Sequence, residues 1–172
     1  RRMKGEGEMA EFRQWREADR VSLKDAVPLD TPYNAAIEVS SFCNLKCVYC
    51  GHSINHGQYE GNMTDELIEK ILYDLSEFPR KIKKVNLFGF GESLCHPKFP
   101  EIVGKVNKAG IADAVEFTTN GILLTKDKVD QLMENGGVHT IRISLQGIDA
   151  AAYKKFGGRD IDFEQFLANL KY

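Results

Sequence analysis

The sequence predicts an α/β fold of parallel βα units. Short segments that alternate apolar and polar residues recur between stretches of helical spacing, which implies strands returned by crossover helices. Several strand segments keep one polar face, where strands buried on both sides would read as continuous apolar runs. The unusual residues also gather at the strand ends, where α/β folds build their sites.

Residues 1–33 read as a helical extension and linker. Positions 8–23 permit a helix, Trp15 is an expected anchor, and Pro28 and Pro32 punctuate the approach to the first strand. The core domain is expected over 34–172. Residues 35–41 alternate as a strand, and a cysteine loop leaves its end. A polar loop over 51–62, carrying His52, His56 and Tyr59, is long enough to suggest function. Thr64 then suits a helix cap, with Leu67, Ile68, Ile71, Leu72 and Leu75 at helical spacing and Pro79 as the stop.

A second strand over 85–90 runs into Gly91 and Glu92, and the helix after Pro97 carries Phe99, Ile102, Val103 and Val106 up to Gly110. The third strand, 115–119, exits through Asn120-Gly121. A helix capped by Thr125 follows and ends at Gly136-Gly137. The fourth strand, 139–145, places Ile141, Ile143 and Leu145 on one face and Arg142 and Ser144 on the other, with Gln146 next. A last helix begins at Phe163. The polar set Glu38, Ser40, Glu116, Thr118, Arg142 and Ser144 is expected to line a cavity while the opposite face packs the helices.

Composition narrows the class. Of 172 residues, 42% are hydrophobic and 28% charged, as in a globular domain with a real core. A net charge of -2 gives no electrostatic footprint for nucleic acid, and Lys81, Lys83 and Lys84 read as solvated surface. No apolar run of about 18 residues is present and Arg1-Arg2 lacks a following apolar segment, so neither a membrane span nor a secretory signal is expected. The cytoplasm is the default compartment. Four cysteines, three within eight residues, fit a metal site in a reducing compartment rather than a disulfide scaffold.

The run Cys43-Asn-Leu-Lys-Cys47-Val-Tyr-Cys50 is C-x3-C-x2-C. Three thiolates on one loop can hold three irons of a 4Fe-4S cubane and leave the fourth open, whereas electron-carrying clusters usually take four cysteines. An open position lets a substrate or cofactor bind the metal. The same cysteines with His52 or His56 could instead hold a structural zinc, so the loop alone leaves both readings standing.

With Tyr49 just before the third cysteine, the loop resembles the signature of the radical S-adenosylmethionine (radical SAM) superfamily. The resemblance runs from about Ile37 to the C-terminus and implies a partial TIM-type (βα) barrel, with about four of the usual six units present. It implies that Cys43, Cys47 and Cys50 ligate a 4Fe-4S cluster whose open iron chelates S-adenosylmethionine (SAM). Reductive cleavage of SAM then gives a 5'-deoxyadenosyl radical that abstracts hydrogen from a substrate. It further implies that Tyr49 lies against the adenine, that Gly91 and Glu92 occupy the Gly-Gly-Glu motif, and that Asn120, Ser144 and Gln146 reach SAM.

The sequence departs from the family pattern at Phe90, where the first glycine would stand, and at Ser93, where proline is frequent. Cys95 reads as a small buried apolar residue outside the site. The runs Gly91-Glu-Ser-Leu-Cys-His-Pro97 and Ser144-Leu-Gln-Gly147 look like members with a C-terminal SPASM or twitch auxiliary domain, which act on peptides or on sugar-like and cyclitol substrates. An electron donor such as flavodoxin or ferredoxin is implied. The chain is then expected to be an N-terminal fragment, exposing the edge of its fourth strand. Four features in order, one per βα unit, favour the cluster over zinc.

Overall fold

The computed structural model describes residues 22–54 and 61–172. The expectations for Trp15, His56 and Tyr59, and most of the 8–23 helix, lie outside those residues. A short helix α1 (Leu23–Ala26) precedes β1 (Asn34–Ile37), and α2 (Gly51–Ile54) follows the cysteine loop. Then come α3 (Asp65–Ser76), β2 (Lys84–Leu87), α4 (Phe99–Ala109), β3 (Val115–Thr119), α5 (Lys126–Glu134), β4 (Thr140–Ile143), α6 (Ala150–Gly157) and α7 (Phe163–Leu170).

The four strands form one sheet in the order β1-β2-β3-β4, and every pair is parallel. Parallel neighbours need a crossover, and α3, α4 and α5 supply the three returns. The register aligns Ala36 with Asn86, Asn86 with Glu116, and Glu116 with Thr140, so these positions share one face. One position on, Leu87 is level with Phe117, on the opposite face.

That second face builds the core. Val85, Leu87, Val115 and Phe117 are buried against Ile68 and Leu72 of α3, Phe99, Ile102, Val103 and Val106 of α4, and Leu132 of α5. The Phe99 and Phe117 rings meet edge to face with centroids 5.0 Å apart. The helices begin where their caps stand: Thr64 accepts from the Leu67 amide and Thr125 from the Lys128 amide, each at 3.3 Å. Gly110 ends α4 at φ 62°, a left-handed conformation that glycine adopts without steric cost.

The strands are shorter than their alternation suggests, because their ends leave the sheet to build loops. Ser40 makes an isolated antiparallel bridge with Asn62 instead of continuing β1. Helix α6 carries too narrow an apolar face to stand out in the sequence. It forms on the Asp149 cap, whose carboxylate accepts from the Ala152 amide at 2.7 Å, and buries Tyr153 completely against Phe163 and Phe166.

The expectation for Lys84 is corrected. Lys81 and Lys83 are exposed, but Lys84 is half-buried on the polar sheet face, with its ammonium 3.3 Å from Glu116.

Candidate functional site

The cysteine loop leaves β1 and is held from two sides. On one side it runs along the end of α6: the Lys46 amide donates to Gly157 O at 2.8 Å and the Val48 amide to Phe156 O at 2.9 Å. Leu45 is buried there, and Gly158 passes so close that a β-carbon would lie 2.7 Å from Lys46 O. On the other side Asn44 is clasped, its side-chain oxygen accepting from Asn120 Nδ2 at 2.6 Å and its carbonyl from Arg159 Nη1 at 2.9 Å.

The exit of β2 is pressed against the exit of β1. The Gly91 amide donates to Glu38 Oε1 and the Glu92 amide to Phe42 O, both at 2.8 Å. Glu92 then turns inward and is 3% exposed. Its Oε1 accepts from Thr119 Oγ1 at 2.7 Å and the Leu94 amide at 3.1 Å, and its Oε2 from the Asn120 amide at 2.7 Å. Burial outweighs these donors and pushes the Glu92 carboxyl up from its ordinary value. Glu92 therefore fastens the exits of β2 and β3 together.

These strand ends bring every sequence-predicted site residue to one pocket of about 190 Å³. Cys43, Cys47, Tyr49, Cys50, Gly91, Glu92, Asn120, Ser144 and Gln146 all line it, with Leu45, Phe88, Gly89, Phe90, Thr118 and Thr119. Their roles divide. The carboxylate of Glu92 and the side-chain amide of Asn120 are taken up by protein partners, the latter by Asn44 and the Ile122 amide. Ser144 is exposed at the mouth, and its amide donates to Thr119 O at 2.8 Å. Gln146 Oε1 accepts from the Tyr49 hydroxyl and, at 3.5 Å, from the Cys47 thiol, while its Nε2 donates to Ser144 O at 2.7 Å. Asn44, Thr119 and Arg159 are site-building residues that sequence reasoning missed, whereas Glu38 belongs to the polar face expected to line a cavity and instead braces Gly91. Of the three, only Thr119 had a signal, as a polar group at a strand end.

The three loop cysteines are free thiols. Burial, then the charges of Glu92 and the neighbouring cysteines, pushes the Cys43 thiol up, and burial pushes Cys47 up against the Tyr49 hydrogen bond. Cys95, beside Cys43 and Glu92, is pushed up to about 11, chiefly by burial. The loop thiols must lose protons to ligate a metal. Among the described residues no three His, Cys, Asp or Glu side chains converge as ligands of one ion. A cubane cluster does not require that convergence, because each thiolate binds a different iron. A closed zinc site requires four ligands on one ion; His52 does not line the pocket, and His56 lies outside the described residues. The donor set thus fits an iron–sulfur cluster.

A parallel βα sheet with three cysteines on the loop after its first strand, facing polar groups at the exits of the next three, defines a class. The chain belongs to the Radical SAM superfamily, whose profile matches residues 37–172. It is 34% identical over 122 residues to a probable GTP 3',8-cyclase of Methanococcus maripaludis, covering 69% of this chain and 38% of that protein. It is 38% identical over 100 residues to the tungsten-containing aldehyde ferredoxin oxidoreductase cofactor-modifying protein of Pyrococcus furiosus, covering 58% of this chain and 27% of that one.

The chain therefore spans well under half the length of these curated relatives. Among solved structures, SuiB of Streptococcus suis bound to S-adenosylmethionine shares the fold, with a TM-score of 0.65 at 20% identity over 87% of this chain and 33% of that one. The four-stranded parallel sheet is thus a partial radical SAM barrel. Among the described residues no helix is long and apolar enough to cross a membrane.

Proposed function

We propose that this chain is the cluster- and SAM-binding portion of a radical SAM enzyme. The observation that carries the reading is the meeting of Cys43, Cys47 and Cys50 with Gly91, Glu92, Asn120, Ser144 and Gln146 around one pocket. When bound, a 4Fe-4S cluster and SAM would supply one-electron cleavage of a carbon–sulfur bond and hydrogen abstraction from a substrate. The three cysteines would hold the cluster, each through its sulfur.

The protein's own residues prepare the place. Gly91 lets the β2 exit reach the cysteine loop, and Glu92 locks the neighbouring exits by accepting three hydrogen bonds. Gln146 orients Tyr49 through its hydroxyl, so that the ring, 63% exposed, stands at the pocket mouth as a stacking surface. Ser144 offers its hydroxyl there. Phe88 and Phe90 flank the opening as apolar walls that exclude water once covered. An electron donor such as flavodoxin or ferredoxin and a cytoplasmic setting belong to the same reading. So does a peptide, sugar-like or cyclitol substrate in a protein that carries a SPASM or twitch domain, which the runs around Glu92 and Gln146 support.

The test is anaerobic reconstitution with iron and sulfide, followed by electron paramagnetic resonance of the reduced chain with and without SAM. A 4Fe-4S signal that SAM perturbs and that Cys47→Ser abolishes is expected. Zinc with no cluster, or a cluster signal indifferent to SAM, would overturn the reading.

A further inference from the structure

Below the cysteine pocket, on the same face of the sheet, lies a second cleft of about 460 Å³. The two share Phe88 and Thr118, so they form one continuous surface running from the strand ends down the sheet. At the centre of the lower cleft stands Glu116, whose side chain is 6% exposed. Lys84 lies 3.3 Å from its Oε1 and Arg142 Nη2 lies 2.6 Å from its Oε2, while Arg142 Nη1 reaches Asn86 Oδ1 at 3.4 Å. Burial alone would push the Glu116 carboxyl up, but the two cations outweigh it and hold the group below its ordinary value, ionised at neutral pH.

The local charge is then two cations against one anion, a net positive cleft. The donor count points the same way. A guanidinium carries five N–H groups and an ammonium three. Among the described residues Arg142 has two side-chain contacts and Lys84 one, and the Arg142 contact with Oε2 is an ion pair without hydrogen-bond alignment. The Lys84 and Arg142 side chains are 38% and 49% exposed, whereas the carboxylate between them is sealed. Unspent donors therefore face the cleft and their counter-charge does not. Glu116, fixed on its strand, stands against both heads.

We propose that this cleft is the substrate subsite and that it takes a ligand bearing an oxyanion, a carboxylate or a phosphate, held by Arg142 and Lys84. The inference deepens the proposed function by naming the substrate's chemical class, and it rests on that reading for the word substrate. Arg142 would engage the oxyanion in its planar fork, Lys84 as a point charge. The rest of the ligand would extend past Phe88 and Thr118 toward the cysteine pocket.

The experiment is a nuclear magnetic resonance titration of the full 172-residue chain at fixed ionic strength, following the Glu116 and Arg142 amides. Inorganic phosphate and acetate are the two probes, and tighter binding of one assigns the oxyanion to a phosphate ester or to a carboxylate. Saturable binding is expected, weakened about tenfold by Arg142→Gln or Lys84→Gln and unchanged by Lys83→Gln. Glu116→Gln separates this role from a purely structural staple, because it removes the competing charge at constant shape. It is expected to tighten anion binding several-fold, whereas a staple alone would lose stability with no gain in binding.

Absence of saturable binding, or binding indifferent to Arg142, Lys84 and Glu116, would overturn the proposal. Neither cluster nor SAM enters the measurement, so Cys47→Ser should bind the anion as the native chain does. Failed reconstitution with intact anion binding would count against the proposed function, and the reverse result against the substrate class alone.

Discussion

A β-carbon added at Gly91 would lie 2.2 Å from the Ser40 carbonyl oxygen and 2.7 Å from two Ser41 backbone atoms. Those atoms are backbone and cannot swing aside, so Gly91→Ala must push the exit of β2 away from the cysteine loop. The Gly91 and Glu92 amide contacts to Glu38 and Phe42 would stretch with it. We expect a loss of about 1–3 kcal/mol in denaturant unfolding. Gly51 is the control, because an added β-carbon there meets nothing within 4 Å. Gly51→Ala should change stability by less than about 0.5 kcal/mol, and equal effects at the two positions would refute the steric argument. Glu92 carries a related lesson. A buried carboxylate with three donors is a structural tie whatever else it touches, and removing it would orphan those donors.

At the scale of elements, the cysteine loop depends on a helix more than a hundred residues further along the chain. Among the described residues the loop has no regular partner strand, and its Lys46 and Val48 amides are satisfied by the last carbonyls of α6. Those carbonyls would otherwise be unpaired, since the final turn of a helix has no internal donors for them. Loop and helix end therefore complete each other. Helix α6 is only eight residues long and begins on the Asp149 cap. Removing that cap by Asp149→Ala should cost about 1 kcal/mol of helix stability. The consequence is expected at a distance, as faster hydrogen exchange at the Lys46 and Val48 amides. Unchanged exchange there, with faster exchange confined to α6, would show that the loop holds its shape without the helix.

For the whole molecule, one edge matters most. β4 pairs with β3 on one side only, and no strand among the described residues covers its other edge. Beside that edge Leu145 is 59% and Ile148 87% exposed, and at the cysteine pocket Phe90 is 73% exposed. Open strand edges next to apolar surface template pairing with another chain. The chain by itself is expected to associate as its concentration rises, seen by sedimentation velocity, and Ile148→Lys should shift that association to higher concentration. A monomer at every concentration would show that the edge is protected.

The sequence by itself determined the class of fold and the identity of the candidate ligands, because those signals are local. Alternation in 35–41 and 139–145, the caps at Thr64 and Thr125, and the spacing of Cys43, Cys47 and Cys50 each depend on neighbours within a few residues. The grouping of strand-end residues was also legible, since parallel strands put all their ends on one side of the sheet. What only the tertiary structure decided is which of these groups are spent on one another. Glu92 meets Asn120 across 28 residues, Tyr49 meets Gln146 across 97, and Arg159 meets Asn44 across 115. No periodicity encodes such separations. They follow from the register of the sheet and the packing of α6, which set distances that spacing along a chain leaves free.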